Sequence, residues 1–452
     1  MTSHVPALVI GGGISGQACT YALRKAGIDA QLIEAVDRAG GVIRSERHDG
    51  FLFELGPQSF SGTAALRTLC KELGIASELV EAPAKAPRYI LVNGSLRAVP
   101  LRPAALLASS LLSVATKWRI ARDAFGTTQP PQEDESIASF VRRKFGVELL
   151  DRLVGPFVSG IYAGDPERLS LRSTFPQLYE AEKAACSIIR GMIRAAKTHK
   201  GPRERPPLLS FRQGNETLVR ALAAKLGPAL RLATEAKRIK VKSSSAATVF
   251  ETTVQTAGQT DTVIADRLIM ATPTDVAGKL LRDVNPAFES LLSPVEYAPV
   301  AIISLGYRRE AVAHSLNGFG FLVPRSAGLR VLGTVWNSSL FPGRVPNGHV
   351  LLTSFVGGAT DPQAAILSPE NLVTLVHQQV APVLKISKTP VCSNVQIHRR
   401  ALPQYNLGHA DRLAAIERLR GDFPNLWLTG NYLRGPSIGA CLDQSLAIAQ
   451  GL

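Results

Sequence analysis

Pro6-Ala7-Leu8-Val9-Ile10-Gly11-Gly12-Gly13-Ile14-Ser15-Gly16, residues 6–16, decides the fold. An apolar run over Pro6–Ile10 reads as a buried strand, and Gly11, Gly13 and Gly16 satisfy G-x-G-x-x-G where that strand turns into a helix over Ile14–Ala26, closed by Gly27. A second apolar run, Ala30–Ile33, ends in Glu34. Strand, glycine turn, helix, strand and acid make a βαβ dinucleotide unit. Its turn residues, Gly11, Gly12, Gly13, Ile14, Ser15 and Gly16, let the backbone approach a pyrophosphate at the positive end of the helix. Glu34 is placed to accept hydrogen bonds from ribose hydroxyls, and its charge repels a 2′-phosphate, which disfavours NADP.

Other strand-to-turn junctions lie far downstream. Arg267–Met270 enters Ala271-Thr272-Pro273, and Leu426–Leu428 enters Thr429-Gly430-Asn431, so one domain is expected to be assembled from separate segments. An alanine-rich helical stretch covers Leu171–Thr198, a Lys/Arg/Pro loop covers His199–Pro207, and a boundary falls near residue 205. Val300–Phe355 alternates apolar and polar residues and reads as antiparallel strands. Pro103–Thr116 carries no charge; Leu107, Leu111, Val114 and Trp118 recur at helical spacing, and 14 residues is too short to span a bilayer. It is either a buried helix or an interfacial one flanked by Arg97, Arg102, Lys117, Arg119 and Arg122.

A chain of 452 residues exceeds what one core usually supports, so two or three domains are expected. Lys+Arg number 51 against 36 Asp+Glu, a balance that favours acidic partners, but the basic residues are dispersed and form no nucleic-acid motif. Nucleic acid is therefore excluded as a partner. The five cysteines are scattered without a Cys-x-x-Cys pair, which points to a reducing compartment and no structural metal. No secretory signal is read before the glycine turn.

Arg38-Ala39-Gly40-Gly41-Val42-Ile43-Arg44-Ser45 resembles the RxGGRxxS/T element of flavin amine oxidases, phytoene desaturases and protoporphyrinogen oxidases, which selects FAD over NAD. Val42 departs from the second arginine and leaves charge neutralisation to Arg38, Arg44 and backbone amides. Three further runs narrow the resemblance to protoporphyrinogen oxidases: Phe53–Phe60 is similar to ELGPxSF, Phe157–Pro166 to FVSGxYAGDP, and Leu402–His409 to IPQYxxGH. The closing stretch Leu426–Gln450 resembles the segment that lies against the flavin ring, with Pro436 as a departure. The resemblance covers essentially the whole chain.

The resemblance implies an α/β and α+β fold: a Rossmann-type FAD-binding domain from separate segments (1–82, 205–286, 413–452), a mixed-sheet substrate domain (83–98, 196–204, 287–412) and a helical, membrane-associating domain (99–195). Beyond the glycine turn and Glu34, it implies FAD contacts at Ala35, Arg38, Gly41, Val42, Gly56, Pro57, Gln58, Ser59, Ala236, Gly430, Pro436, Ser437 and Ile438. It also implies oxidation of protoporphyrinogen IX to the porphyrin in three two-electron steps, oxygen being the final acceptor. Arg88 would pair with a substrate propionate, Leu322, Leu332 and Phe355 would sandwich the tetrapyrrole, and the Gly160 backbone would approach its pyrroles. His409 could be a base, but in a glycine-bearing loop it more naturally bonds locally. The alternatives are a coproporphyrinogen III oxidase on the same scaffold, an amine oxidase or carotenoid desaturase, and a flavin-free prenyl-protein chaperone. A cytoplasmic protein, peripheral on the inner membrane face through 103–118, and a homodimer are compatible with these readings.

Overall fold

The computed structural model describes residues 2–100, 103–126, 129–198, 206–243 and 248–451. The expected βαβ opening is present: a strand Thr2–Ile10, a helix Ile14–Lys25 and a strand Ala30–Ile33. The first strand starts earlier than its apolar run because Thr2–His4 find partners in Thr262–Ile264. Leu8 and Ile10 point into one core, while Ala7 and Val9 point into another with Cys19 and Leu23 of the helix. Burial on both faces is why this strand reads as a continuous hydrophobic run rather than an alternating one.

The strand Gln259–Met270 organises the sheet. It runs parallel to Thr2–Ile10 on one side and antiparallel to Thr248–Thr256 on the other, and its last residues also pair with Leu426–Leu428. The full order is Leu230–Arg231, Ala30–Ile33, Thr2–Ile10, Gln259–Met270, Thr248–Thr256, Thr234–Ser243. One side is covered by the helices Thr274–Leu281, Pro286–Leu292 and His409–Gly421, the other by Ile14–Lys25, Glu216–Leu226 and Ile438–Gln450. The strands of this sheet come from distant chain segments, as the separated strand-to-turn junctions imply.

A second sheet runs Cys392–Pro403, Tyr297–Arg308, His349–Gly357, Val331–Val335, Gly320–Leu322, Arg88–Val92, Ser95–Ala98. All its pairs are antiparallel except Gly320–Leu322 with Arg88–Val92. The expected antiparallel region is thus present, and Arg88–Ala98 joins its edge. Leu372, Val376, Val380 and Leu384, at helical spacing on Pro369–Leu384, cover one face with Ile303, Leu305 and Leu352. On the other face Ala298, Val300, Ile302, Leu332 and Phe355 pack with Ala163 from the helical segment.

Between the sheets in sequence lie short helices around Ile137, Phe140, Val141, Leu150 and Val158. The stretch Leu171–Thr198 is helical as expected, in three helices, because Pro176 starts a new one and Cys186 takes a left-handed conformation (φ 52°). One expectation needs correction here. Pro103–Trp118 is broken, into Pro103–Ala108 and Val114–Asp123, because Ser113 caps a new helix through Thr116 N. Leu111 and Leu112 are buried in the break, whereas Val114 and Trp118 are exposed, so the four residues form no single stripe. Arg102 and the boundary near residue 205 lie outside the described residues. Lys144, with a side chain only 6% exposed, ties this bundle together by meeting Asp123 at 3.3 Å and Glu182 at 2.7 Å.

Candidate flavin and substrate site

The cradle begins where the first strand ends. Gly11 has φ 110°, and a Cβ there would sit 2.7 Å from Ala271 O; a Cβ on Gly16 would sit 1.9 Å from Gly11 O. Only glycine permits this close passage of strand, turn and helix. A Cβ on Gly13 would meet nothing within 4 Å, so the turn opens onto space in front of the helix. Gly13 caps that helix without a side-chain bond. Beside it, the helix Ile438–Gln450 starts at Ser437, whose Oγ accepts from Ala440 N at 3.1 Å. Ser15 and Cys441 touch between the two first turns, and burial pushes the Cys441 thiol up to about 11. Two helix N-termini thus face one region, a field suited to a pyrophosphate.

Glu34 lies at the end of its strand, where Oε2 accepts from Gly12 N at 2.6 Å and Oε1 from Val36 N at 3.1 Å. Ala35 is exposed just beyond it. Thr234 N donates to Glu34 O and Ala233 N to Val36 O, which brings the bulge at Ala236 alongside. A carboxylate has about four lone-pair positions, so two remain for ribose hydroxyls.

In the 38–45 loop, Gly40 N donates to Gly12 O at 2.8 Å, and Gly41 (φ 59°) abuts Gly13. Arg38 spends its guanidinium on the carbonyls of Ala39, Gly41 and Ile43, and Arg44 pairs with Glu46 at 2.6 Å. Arg38 therefore shapes the loop, and Val42, in the place of a second arginine, is 49% exposed. The next run is packed tightly: a Cβ on Gly56 would lie 2.1 Å from Val42 O. Gln58 Nε2 donates to Glu54 O and Gly56 O, its Oε1 accepts from Asn337 Nδ2, and Pro57 O accepts from Asn215. Ser59 is half-buried.

Beneath this run lies an ion pair that no local pattern announces. Arg344 and Glu54, both 1% exposed at the side chain, meet at 2.8 Å; Glu54 also accepts from Asn215 N and Ser45 Oγ, and Arg344 donates to Ser210. It fastens the 45–54 hairpin to the strand Leu208–Phe211 and the second sheet.

The C-terminal run is set by side chains from elsewhere. Gly430 (φ 150°) packs on the Tyr432 ring, and Ile438 is buried with Ala18 and Leu66. Pro436 is half-buried between Gly435 and the cap. Tyr405 donates through its hydroxyl to Asn431 O and accepts from Gly435 N at 2.9 Å. His409 stacks on Tyr405 (4.6 Å, 9°), and its Nε2 lies 2.9 Å from Tyr432 O. A carbonyl can only accept, so Nε2 carries the proton. Burial pushes the His409 pKa down to about 4. His409 is a neutral local donor, and the local reading of it holds.

On the second sheet, in-register pairing of Arg88 with Gly320, Ile90 with Leu322, Leu322 with Gly333 and Gly333 with Phe355 puts Arg88, Leu322 and Phe355 on one face. The helix Gly155–Tyr162 lies over it: a Cβ on Gly160 would come 2.4 Å from Leu322 Cδ2, and Ala163 packs in a cluster with Leu332 and Phe355. Gly160, Leu322, Leu332 and Phe355 are therefore brought together. Arg88 is exposed at the start of the strand Arg88–Val92, next to the edge strand, its guanidinium 5.3 Å from the Phe319 ring centroid. A cavity of about 550 Å³ lies elsewhere, between Arg152, Asn93 and Gln379. Among the described residues no cluster of His, Cys, Asp or Glu could hold a metal ion.

The glycine cradle, Glu34 and the paired helix termini fit a flavin dinucleotide, and the comparisons with known proteins agree. The family model for flavin containing amine oxidoreductases matches residues 14–450. Protoporphyrinogen oxidase from Nicotiana tabacum chloroplasts is 34% identical over 99% of this chain and 85% of its own. Coproporphyrinogen III oxidase from Bacillus subtilis is 30% identical over 97% of this chain and 96% of its own. A crystal structure provisionally assigned as a protoporphyrinogen oxidase, from Exiguobacterium sp. 255-15, superposes with a TM-score of 0.80 at 24% identity, covering 99% of this chain and 98% of that one.

Proposed function

Since the chain belongs to the flavin containing amine oxidoreductase family and is an FAD-dependent oxidoreductase, we propose that it oxidises protoporphyrinogen IX to protoporphyrin IX, with oxygen as the final acceptor. The observation that carries this reading is the apolar wall of Leu322, Leu332 and Phe355 under Gly160, joined on the same sheet face by Arg88. It is a wall for a flat, greasy ring with a cation for a carboxylate. The segments 1–82, 205–286 and 413–452 would hold the cofactor, 83–98, 196–204 and 287–412 would carry this wall, and 99–195 would cover it.

Bound FAD would supply the two-electron acceptor for each step. The protein's part is positional, because aromatisation drives the reaction. The amides at Gly11–Gly16 and the first turn of Ile438–Gln450 neutralise the pyrophosphate, assisted by Gly41, Gly56–Ser59 and Gly430 in shaping the bed, and Glu34 holds the ribose. Leu322 and Phe355 fix the ring plane, while Gly160, whose missing side chain lets Leu322 pack against it, brings its backbone to the same wall. Arg88 offers a propionate a planar pair of donors. Neutral His409, with Nε2–H committed to Tyr432 O, takes no proton.

Coproporphyrinogen III is the second reading, favoured by the Bacillus subtilis relative. Anaerobic flavin reduction with proto- and coproporphyrinogen side by side tests both: bleaching by protoporphyrinogen at the higher kcat/KM supports the proposal, and the reverse order replaces it. No helix among the described residues is long and apolar enough to cross a membrane. Val114, Trp118 and Phe125 nonetheless expose an apolar face beside Arg119 and Arg122, at 76%, 68% and 84% exposure. That face supports a peripheral place on the inner surface of the cell membrane. Liposome co-sedimentation unchanged by Val114→Asp with Trp118→Asp would remove this contact; Leu111, being buried, cannot serve as the probe.

A further inference from the structure

The run Pro403-Gln404-Tyr405-Asn406-Leu407-Gly408-His409 supplies none of the cradle or wall residues above. It lies behind both. Tyr405 is 2% exposed, and its one hydroxyl is fully used: the proton goes to Asn431 O, and a lone pair takes Gly435 N at 2.9 Å. Burial raises its pKa far above the usual phenol range, so the donor is kept at every working pH. Four residues on, His409 holds the Tyr432 carbonyl. Gln404, 3% exposed, sends Nε2 in the other direction, to Tyr162 O at 3.0 Å and Leu402 O at 3.0 Å. Tyr162 is the last residue of the helix that carries Gly160. Gly435 has φ 122° and is followed at once by Pro436 and the cap Ser437, so the turn has few other means of holding its shape.

We infer that 403–409 is a clamp between the two walls of the site, with Tyr405 as a positioning residue that sets the backbone of 431–435, and through it the amides leading into the helix Ile438–Gln450, against the flavin. Gln404 fixes the opposite wall from the neighbouring position. The inference rests on the proposed placement of 430–438 beside the flavin. It needs no porphyrinogen to test.

Tyr405→Phe keeps the ring and its stack on His409 and removes both hydrogen bonds. The expected result is a folded apoprotein whose FAD dissociation constant rises about tenfold, as two neutral hydrogen bonds would give. The visible circular dichroism of bound flavin should change, and amide exchange at Gly435 should quicken about tenfold. A variant with the wild-type dissociation constant, flavin dichroism and Gly435 exchange overturns the inference. If the variant does not fold, exchange in the wild-type holoenzyme decides: a protected Gly435 amide supports the clamp and an unprotected one overturns it. Failure of porphyrinogen to reduce the wild-type flavin would remove the proposed substrate and leave this result standing.

Discussion

Replacing Glu34 with alanine separates what this carboxylate does for the fold from what it does for the cofactor. In the apoprotein it satisfies two amides, Gly12 N at 2.6 Å and Val36 N at 3.1 Å. Val36 is exposed, and its amide can turn to water at little cost. Gly12 is buried, and an unpaired amide there costs about 1–3 kcal/mol. Apo-Glu34→Ala should therefore lose about that much stability in urea unfolding. With FAD, the charged hydrogen bond to the ribose is lost as well, about 1.5–3 kcal/mol, or roughly 10- to 150-fold in the dissociation constant. Glu34→Gln keeps an acceptor for Gly12 but not the charge, so its apo stability should stay near wild type while its FAD affinity falls. The assay is titration of apoprotein with FAD by fluorescence quenching, beside urea midpoints. Wild-type affinity and wild-type stability in Glu34→Ala would refute the reasoning at both points.

Arg88→Ala should raise KM about tenfold with kcat nearly intact, and Arg88→Lys should fall between, because the propionate keeps its charge throughout the reaction; steady-state kinetics with wild-type KM would move the carboxylate contact elsewhere. Arg344→Met should cost about 3–5 kcal/mol by stranding Glu54, and adding Glu54→Leu should recover part of that loss in urea melts; a double variant no better than the single would contradict the pairing. His409 has its pKa lowered to about 4 from 6.5, so between those values the unfolded chain binds a proton that the folded chain refuses. Its contribution is whole above pH 6.5 and falls by about 1.4 kcal/mol per pH unit below it. His409→Gln should consequently lose about 2–3 kcal/mol less than wild type between pH 7.5 and 4.5, and equal losses would refute the assignment.

The cradle was legible because its information is local: glycines, a strand, a helix and an acid within residues 6–34 specify their own geometry. The roles of Arg88 and of the wall residues were legible only through the family resemblance, since Leu322, Leu332 and Phe355 have the spacing of any core strand. The Glu54–Arg344 pair joins positions 290 residues apart, and neither side chain stands in a pattern that signals burial. The break at Ser109–Ser113 was missed because helical periodicity continued across it; Ser113, an N-cap residue with Thr116 three positions on, was the available signal. The resemblance implies a cofactor contact at Arg38, and what no local pattern announces is that its guanidinium also holds three carbonyls of its own loop.

The helix Ile438–Gln450 packs on Ile14–Lys25 through Ile438, Leu442 and Ala18, and the strand Leu426–Leu428 completes the sheet beside Gln259–Met270. During synthesis the glycine turn leaves the ribosome long before the elements that cover it are made. Closing that gap costs only a logarithm of its length in entropy, so the finished protein is scarcely penalised. The nascent chain is. Until residue 450 emerges, Ala18, Leu66 and Leu218 lack part of their cover, and the second positive helix end is missing from the cofactor's bed. Flavin capture is therefore a late step, and this chain should depend on chaperones for longer than its length alone would suggest.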